Sequence, residues 1–347
     1  MDSLTDLNNF LDAPLAGDTG SGDSPSSLPK FIPVVEIAEG EIDPRYTRLS
    51  YSTEALLHSC PRKFQLKCLE AERVQDASTS VTFAFGSTVG MGVAEFMVSR
   101  DLEATIFKMF LEWDVDYLAE NKQQKKSFPH AVIAIELFKS QLEDGAHSEY
   151  EVAEYNGKPA IELSFSVSFP GELAEFTYRG YLDLVLRNIM TGQAGVMENK
   201  TNSGTWVNHH MYKNSEQALG YSIILDQIEP GVAAYDVMYY IFMTKLGRYE
   251  QFDFPKSHQQ RALWLRDRMW NISLVEKLVK EEGNYGMWPI CSQGCVSFGR
   301  PCEYMDICQL PTESLMAKLK ETQLVDRDRK TGEIAEYDFE LTLKELL

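Results

Sequence analysis

Two neighbouring stretches decide the fold: Arg179-Gly180-Tyr181-Leu182-Asp183-Leu184-Val185 and Ala194-Gly195-Val196-Met197-Glu198-Asn199-Lys200, whose carboxylates Asp183 and Glu198 lie 15 residues apart. Each is an apolar strand interrupted by a carboxylate. Strand alternation predicts that Asp183 points to the face opposite Leu182 and Leu184. The spacing of Glu198 and Lys200 sets both side chains on one face. Asn188-Ile189-Met190-Thr191-Gly192 reads as the turn between the strands, so an antiparallel hairpin would gather Asp183, Glu198 and Lys200. Two carboxylates suit a hard divalent cation, Mg²⁺ or Mn²⁺, which keeps waters in its remaining positions. Such a metal polarises a phosphate, and the lysine can orient the attacking water or meet developing negative charge. Phosphodiester hydrolysis needs this equipment.

The pattern extends on both sides. Ile161, Leu163, Phe165, Val167 and Phe169 alternate with Glu162, Ser164, Ser166 and Ser168, a half-buried strand, and Pro170-Gly171 turns it into the strand Phe176 to Leu186. Downstream the sequence predicts a helix from about Asn214 to Gln227. An apolar strand, Tyr235 to Met243, follows, turned by Gly247 into Tyr249 to Phe254, and then a long helix from His258 to Glu282. Upstream, ordered structure is expected from near Tyr51, with Ser52 capping one helix that runs to about Leu69. Further helices are expected over Ser87–Arg100, Leu102–Lys122 and Pro129–Leu142. Helices, then antiparallel strands, a helix and more strands describe an α/β (α+β) domain with a central mixed sheet flanked by helices. No fixed-period repeat is present, so the chain is not a solenoid.

The 347 residues are 44% hydrophobic, enough for a full core. Their net charge of −19 excludes a general nucleic-acid coat protein, which needs a positive field over its whole surface. The acid is uneven: residues 1–44 hold nine carboxylates against Lys30 alone. Residues 13–30 mix Gly, Ser, Pro and Asp, the composition of a linker. Leu4, Leu7, Phe10 and Leu11 have helical spacing, so residues 3–12 read either as a disordered tail or as a peptide that docks a protein partner. The expected organisation is an acidic tail over 1–45, a domain over 46–310 and a C-terminal extension over 311–347. No secretory signal or membrane-spanning run is read, which gives an expected cytoplasmic setting, that of the host cell if the source is viral. Six cysteines lie at 60, 68, 291, 295, 302 and 308, four of them within 18 residues. In a reducing compartment, clustered cysteines more often hold metal or an iron–sulfur cluster than form disulfides.

Gln217-Ala218-Leu219-Gly220-Tyr221 adds a helix face with Gln217 and Tyr221 one turn apart. With Gly180-x-x-Asp183, Glu198-x-Lys200 and Gln217-x-x-x-Tyr221 in this order, the chain over about residues 50–310 resembles the PD-(D/E)XK nuclease superfamily. Within it, the chain is similar to the RecB-like iron–sulfur exonucleases that include the CRISPR-associated adaptation exonucleases and the AddB nuclease domain. The resemblance implies a restriction-endonuclease-like core, with Asp183, Glu198 and the Asn199 carbonyl on the metal and Lys200 assisting the water. Gln217 and Tyr221 would support the site or contact the DNA backbone. It also implies a 4Fe–4S cluster on one upstream and three downstream cysteines: Cys60, Cys302, Cys308 and Cys295, with Cys291 as alternative to Cys295 and tetrahedral zinc as alternative to the cluster. Cys68 reads as a small apolar core residue.

One position departs from that family. Gly90, in Phe85-Gly86-Ser87-Thr88-Val89-Gly90-Met91-Gly92, stands where a metal-binding His is usual, and Glu95 on the same helix is either an alternative ligand or an exposed glutamate. For DNA contact the basic candidates are Arg62, Lys63 and Lys67, then Lys122, Lys125 and Lys126, with Trp206 and Tyr212 as stacking residues. The expected activity is Mg²⁺- or Mn²⁺-dependent hydrolysis of single-stranded or end-containing DNA, as an exonuclease in recombination, repair or phage replication. The alternative is a catalytically silent DNA-binding or assembly subunit that keeps the fold.

Overall fold

A computed structural model describes residues 30–31, 40–72, 81–113, 115, 125–169, 173, 175–297, 300–312 and 339–342. In chain order these form β1 (Lys30–Phe31), β2 (Arg48–Leu49), α1 (Tyr51–Ser59), α2 (Pro61–Leu69), β3 (Glu70–Glu72), α3 (Val81–Ser99), α4 (Leu102–Glu112) and α5 (Phe128–Glu143). Then come β4 (Tyr150–Val152), β5 (Glu154–Tyr155), β6 (Lys158–Pro159), β7 (Ile161–Ser168), β8 (Thr177–Asn188), β9 (Ala194–Asn202), α6 (His210–Lys213) and α7 (Glu216–Ile228). The remainder is β10 (Ala234–Met243), β11 (Arg248–Ser257), α8 (His258–Glu282), the short pair β12 (Val296–Ser297) and β13 (Arg300–Pro301), and β14 (Phe339–Thr342). The candidate peptide at 3–12 and Lys122 lie outside the described residues.

The central sheet has the order β11-β10-β9-β8-β7-β14, with β2 and β4 added along β8. β7 pairs antiparallel with β8 and β8 antiparallel with β9, β9 and β10 run parallel, and α7 makes the crossover between them. The sheet is therefore mixed and flanked by helices, as expected. One core, holding Leu182, Val185, Val196, Tyr221 and Trp264, lies on the face covered by α7 and α8. The second, with Phe85, Val93, Ile135, Leu184 and Met197, lies under α3 and α5. Helix α3 is 19 residues long and, among the described residues, the one helix apolar enough to cross a membrane; ten of its residues are packed into the protein, so it is a core helix.

Several local expectations change. The helix expected over 51–69 is two helices, because Pro61 lacks an N–H and starts α2 at its first position. The cap is Ser50 rather than Ser52, in a reciprocal capping box with Thr53. Helix α3 begins at Val81, six residues before the expected start, and its glycines act as contact points: a Cβ on Gly92 would stand 2.7 Å from Met109 Sδ. Order extends into the supposed acidic tail, where buried Asp43 accepts hydrogen bonds from Arg45 and Tyr285. The supposed C-terminal extension supplies β14, which pairs in parallel with β7. Leu182 and Leu184 enter different cores, so simple alternation fails at Asp183; across from it on β7, Glu162 takes a left-handed φ of 47°, which kinks the pairing.

Candidate active site

Strands β8 and β9 pair from Arg187–Ala194 to Leu184–Met197, and the next two residues are Asp183 and Glu198. The carboxylates thus sit where the two strands part. Beyond that fork β9 continues beside β10, with Glu198 opposite Tyr239 and Lys200 opposite Ile241. The Asn199 N–H, turned toward β8, donates to Asp183 Oδ2 at 3.0 Å. On the α7 face, Lys200 Nζ donates to Glu198 Oε1. Gln217, on the first turn of α7, donates to the Tyr221 hydroxyl, and that hydroxyl lies within reach of the Glu198 carboxylate. The structure brings together Asp183, Glu198, Asn199, Lys200, Gln217 and Tyr221.

The motif glycine has a packing reason. A Cβ on Gly180 would lie 2.8 Å from Phe165 Cζ, and Phe165 is buried, so only glycine lets β8 lie against that ring. The ring in turn packs on Tyr178 with centroids 6.1 Å apart.

The site's electrostatics follow from crowding. Burial, and then the negative charge of Glu198, push Asp183 well above the usual carboxylate range, against the pull of Lys200. Burial alone would depress Lys200, yet Glu198 and Asp183 outweigh it and hold the lysine above its ordinary value. Burial and the same two carboxylates raise Tyr221. Glu198 is 0% exposed, and its Oε2 atom is buried with no hydrogen-bond partner. A buried, unpartnered carboxylate oxygen is costly unless a cation completes it. That orphan oxygen, beside a second carboxylate, fits a hard divalent cation. Among the described residues no three His, Cys, Asp or Glu side chains are set closely enough to hold a metal by themselves, so such an ion would rest on the two carboxylates with Asn199 and water completing its shell.

Other expected residues fall elsewhere. Glu95 pairs with Lys108 of α4 at 2.6 Å and is not gathered with the carboxylates; on its helix it lies five residues past Gly90, whose Cβ position is 3.6 Å from Asn199 Cβ. Asn199, on the α3 side of β9, is thus the residue a histidine at position 90 would meet. Arg62 is 0% exposed and makes no DNA-facing surface. Its Nε donates to the Cys308 carbonyl at 3.0 Å, Nη2 to the Leu310 carbonyl at 2.6 Å, and Nη1 to Gln65 Oε1 and the Thr312 hydroxyl. The arginine staples α2 to the 308–312 segment, a role that its basic neighbours Lys63 and Lys67 concealed. Those two lysines are half-buried on α2. Trp206 is 69% exposed on the loop after β9, whereas Tyr212 packs against Tyr239 with ring centroids 4.6 Å apart. Lys125 donates to the Lys245 carbonyl and Lys126 to Thr82 Oγ1, at 3.4 and 3.0 Å. Sequence reasoning missed Glu162, whose charge acts on Asp183 from β7. Its place inside an ordinary alternating strand gave no signal.

The cysteines converge as well. The Cys291 N–H donates to Cys60 Sγ at 3.4 Å, and the Cys302 N–H donates to the Cys295 carbonyl at 2.7 Å. A Cβ on Gly294 would lie 2.9 Å from Cys60 Cβ, so glycine lets the 291–295 turn close on α1's end. Burial, and then the charges of Cys295, Cys302 and Cys60, push the Cys308 thiol up. All six cysteines are free, and Cys68 is buried in the α7-side core.

Two carboxylates and a lysine thus meet at a strand fork, braced by a Gln-x-x-x-Tyr helix. The chain belongs to the PD-(D/E)XK nuclease superfamily, whose family profile matches residues 48–309. A comparison with curated proteins finds no match. Among solved structures, one described as a "putative exonuclease" from Eubacterium rectale aligns at 12% identity and a TM-score of 0.45, covering 79% of this chain and 98% of its own. The structure of SSO0001 aligns at 16% identity and a TM-score of 0.24, covering 64% and 86%. Both scores lie below 0.5, so membership rests on the family profile and the chain is a nuclease on that ground.

Proposed function

We propose that this nuclease is a Mg²⁺- or Mn²⁺-dependent exonuclease acting on single-stranded or end-containing DNA, in recombination, repair or phage replication. The observation that carries the reading is the orphan Glu198 Oε2 beside Asp183, with Lys200 bonded to the same carboxylate. Asp183, Glu198 and the Asn199 carbonyl would hold the ion, which when bound polarises the scissile phosphate and acidifies a water. Lys200 orients the nucleophile and meets charge as it develops on the phosphate oxygens. Tyr221 and Gln217 keep Glu198 in place. Trp206, exposed beside the end of β9, offers a flat surface to an unpaired base.

The test is cleavage of 5′- and 3′-labelled single- and double-stranded DNA with either ion. Asp183→Ala and Lys200→Ala should each abolish it, and full activity in both variants would refute the assignment. Gly90 supports a second reading, a subunit that binds DNA without cutting it. Binding with no cleavage under any divalent ion would favour that reading.

A 4Fe–4S cluster on Cys60, Cys295, Cys302 and Cys308 is proposed on the family resemblance, not on a formed site: among the described residues no three cysteine side chains are set closely enough to hold a metal by themselves, although the charges of the other three act on Cys308. When bound, such a cluster would tie α1 to the C-terminal loop. Protein purified without oxygen should be brown and carry iron; a colourless preparation with stoichiometric zinc would reject it.

A further inference from the structure

Helix α7 carries both Gln217 and Tyr221, and contacts from α8 decide where its first turn sits. The Trp264 indole N–H donates to the Glu216 carbonyl at 2.9 Å, and Arg268 Nη2 meets the Glu216 carboxylate at 3.0 Å. The other arm of the same guanidinium, Nη1, bonds Glu54 of α1. Asn271 Nδ2 donates to the remaining Glu54 oxygen at 3.0 Å. The guanidinium also lies over the Trp264 ring, 4.8 Å from its centroid. Gly220 permits this approach, since its Cβ would stand 3.2 Å from Trp264.

Arg268, Glu54 and Asn271 are buried, whereas the Glu216 side chain is 49% exposed. Burying such charges costs desolvation, and apolar residues of similar volume often serve stability as well. What a forked guanidinium adds is direction, because its planar donors fix two acceptors at once. Here the acceptors belong to α1 and to the first residue of α7. Helix α1 ends at Ser59, next to Cys60, so the same strut runs from the cysteine cluster to the carboxylate site.

We infer that Arg268, braced by Glu54, is a positioning residue for the nuclease site: it fixes Glu216, and through the next residue sets the Gln217–Tyr221 pair against Glu198. This rests on reading Asp183, Glu198 and Lys200 as the catalytic centre. Three variants separate positioning from general stability. Glu216→Ala removes the exposed anchor at little cost to the fold. Arg268→Lys keeps a charge opposite Glu54 but has no fork, and Glu216→Gln keeps an acceptor for the guanidinium.

In Glu216→Ala and Arg268→Lys, kcat and the Mn²⁺ affinity measured by titration calorimetry should each fall about tenfold, the scale seen when supporting partners of metal ligands are lost. KM for DNA should stay unchanged. Glu216→Gln should recover both quantities. Unchanged kcat and Mn²⁺ affinity in Glu216→Ala, or equal impairment in Glu216→Gln, would overturn the inference. So would losses that merely follow a lowered melting temperature. A readout independent of activity is the ¹⁹F resonance of fluorotyrosine at Tyr221, assigned with Tyr221→Phe. It should move in Glu216→Ala and return in Glu216→Gln, and an unmoved signal refutes the strut even if the wild-type protein neither binds Mn²⁺ nor cuts DNA. That last result would sink the nuclease reading alone.

Discussion

Replacing Arg62 by alanine should cost stability and leave DNA affinity untouched. The guanidinium is fully buried and donates to Gln65, Thr312 and the carbonyls of Cys308 and Leu310. A hydrogen bond from a charged donor contributes about 1.5–3 kcal/mol, and desolvating the charge cancels part of that gain. Truncation removes all four bonds, leaves two carbonyls without a donor and opens a cavity the size of a large side chain. The cost should be about 4 kcal/mol, within the range for breaking a buried polar network. For a domain of this size each kcal/mol lowers the melting temperature by roughly 2 °C, so Arg62→Ala should melt roughly 8 °C below wild type. Thermal melting by circular dichroism, run beside fluorescence anisotropy on labelled single-stranded DNA, measures both quantities. A melting temperature within about 1 °C of wild type, with a salt-dependent loss of DNA affinity, would refute this reasoning and return Arg62 to the DNA-contacting set.

Three further outcomes are expected. Burial pushes Glu54 up to about 7 from 4.5, against the attraction of Arg268 and the Asn271 hydrogen bond; a carboxyl raised on folding stabilises the protein fully below 4.5 and loses that contribution as pH rises through 7. The stability difference between wild type and Glu54→Gln, from chemical denaturation, should therefore drift against wild type by about 3 kcal/mol between pH 4.5 and 8, and a flat difference would contradict it. Gly180→Ala should destabilise by about 1–3 kcal/mol, because the added methyl meets the buried Phe165 ring, and a melting temperature equal to wild type would show that the ring yields freely. Cys60→Ser should remove both colour and iron and lower the melting temperature, whereas brown, iron-loaded protein would show that Cys60 holds no cluster.

The carboxylate pair was legible because local rules suffice: alternation defines β7, a five-residue turn joins β8 to β9, and Glu198 and Lys200 share a face by spacing alone. Helix α8 also runs over the expected residues, His258 to Glu282, between a Ser257 capping box and Gly283 at a positive φ of 77°. What escaped depends on partners far along the chain. Arg62 looks like surface charge until residues 308–312 arrive to receive its donors. Glu54, Arg268 and Glu216 come from three helices, and no pattern within any of them marks the pairing. Gly86 lies outside the helix expected from Ser87, yet it and Gly92 sit inside α3, where they make room for Thr201 and for Met109 with Ile135. Strand β14 is too short, and too far from its partner β7, for periodicity to reveal it.

Helix α3 has a consequence for how the chain is made. Its apolar residues leave the ribosome with residue 99, but Met197 of β9, and Met238 and Phe242 of β10, which share its core, follow roughly a hundred or more residues later. At about 5–20 residues per second that interval is on the order of ten seconds, during which a helix of membrane-like hydropathy has no sheet to lie on. The glycines at 86 and 90 that later let it settle on β9, and Gly92 that lets it settle on α4 and α5, leave gaps in its apolar surface on two different sides while it waits. Among the described residues this is the one helix of such hydropathy, and it leaves the ribosome well before Asp183 and Glu198 have been synthesised.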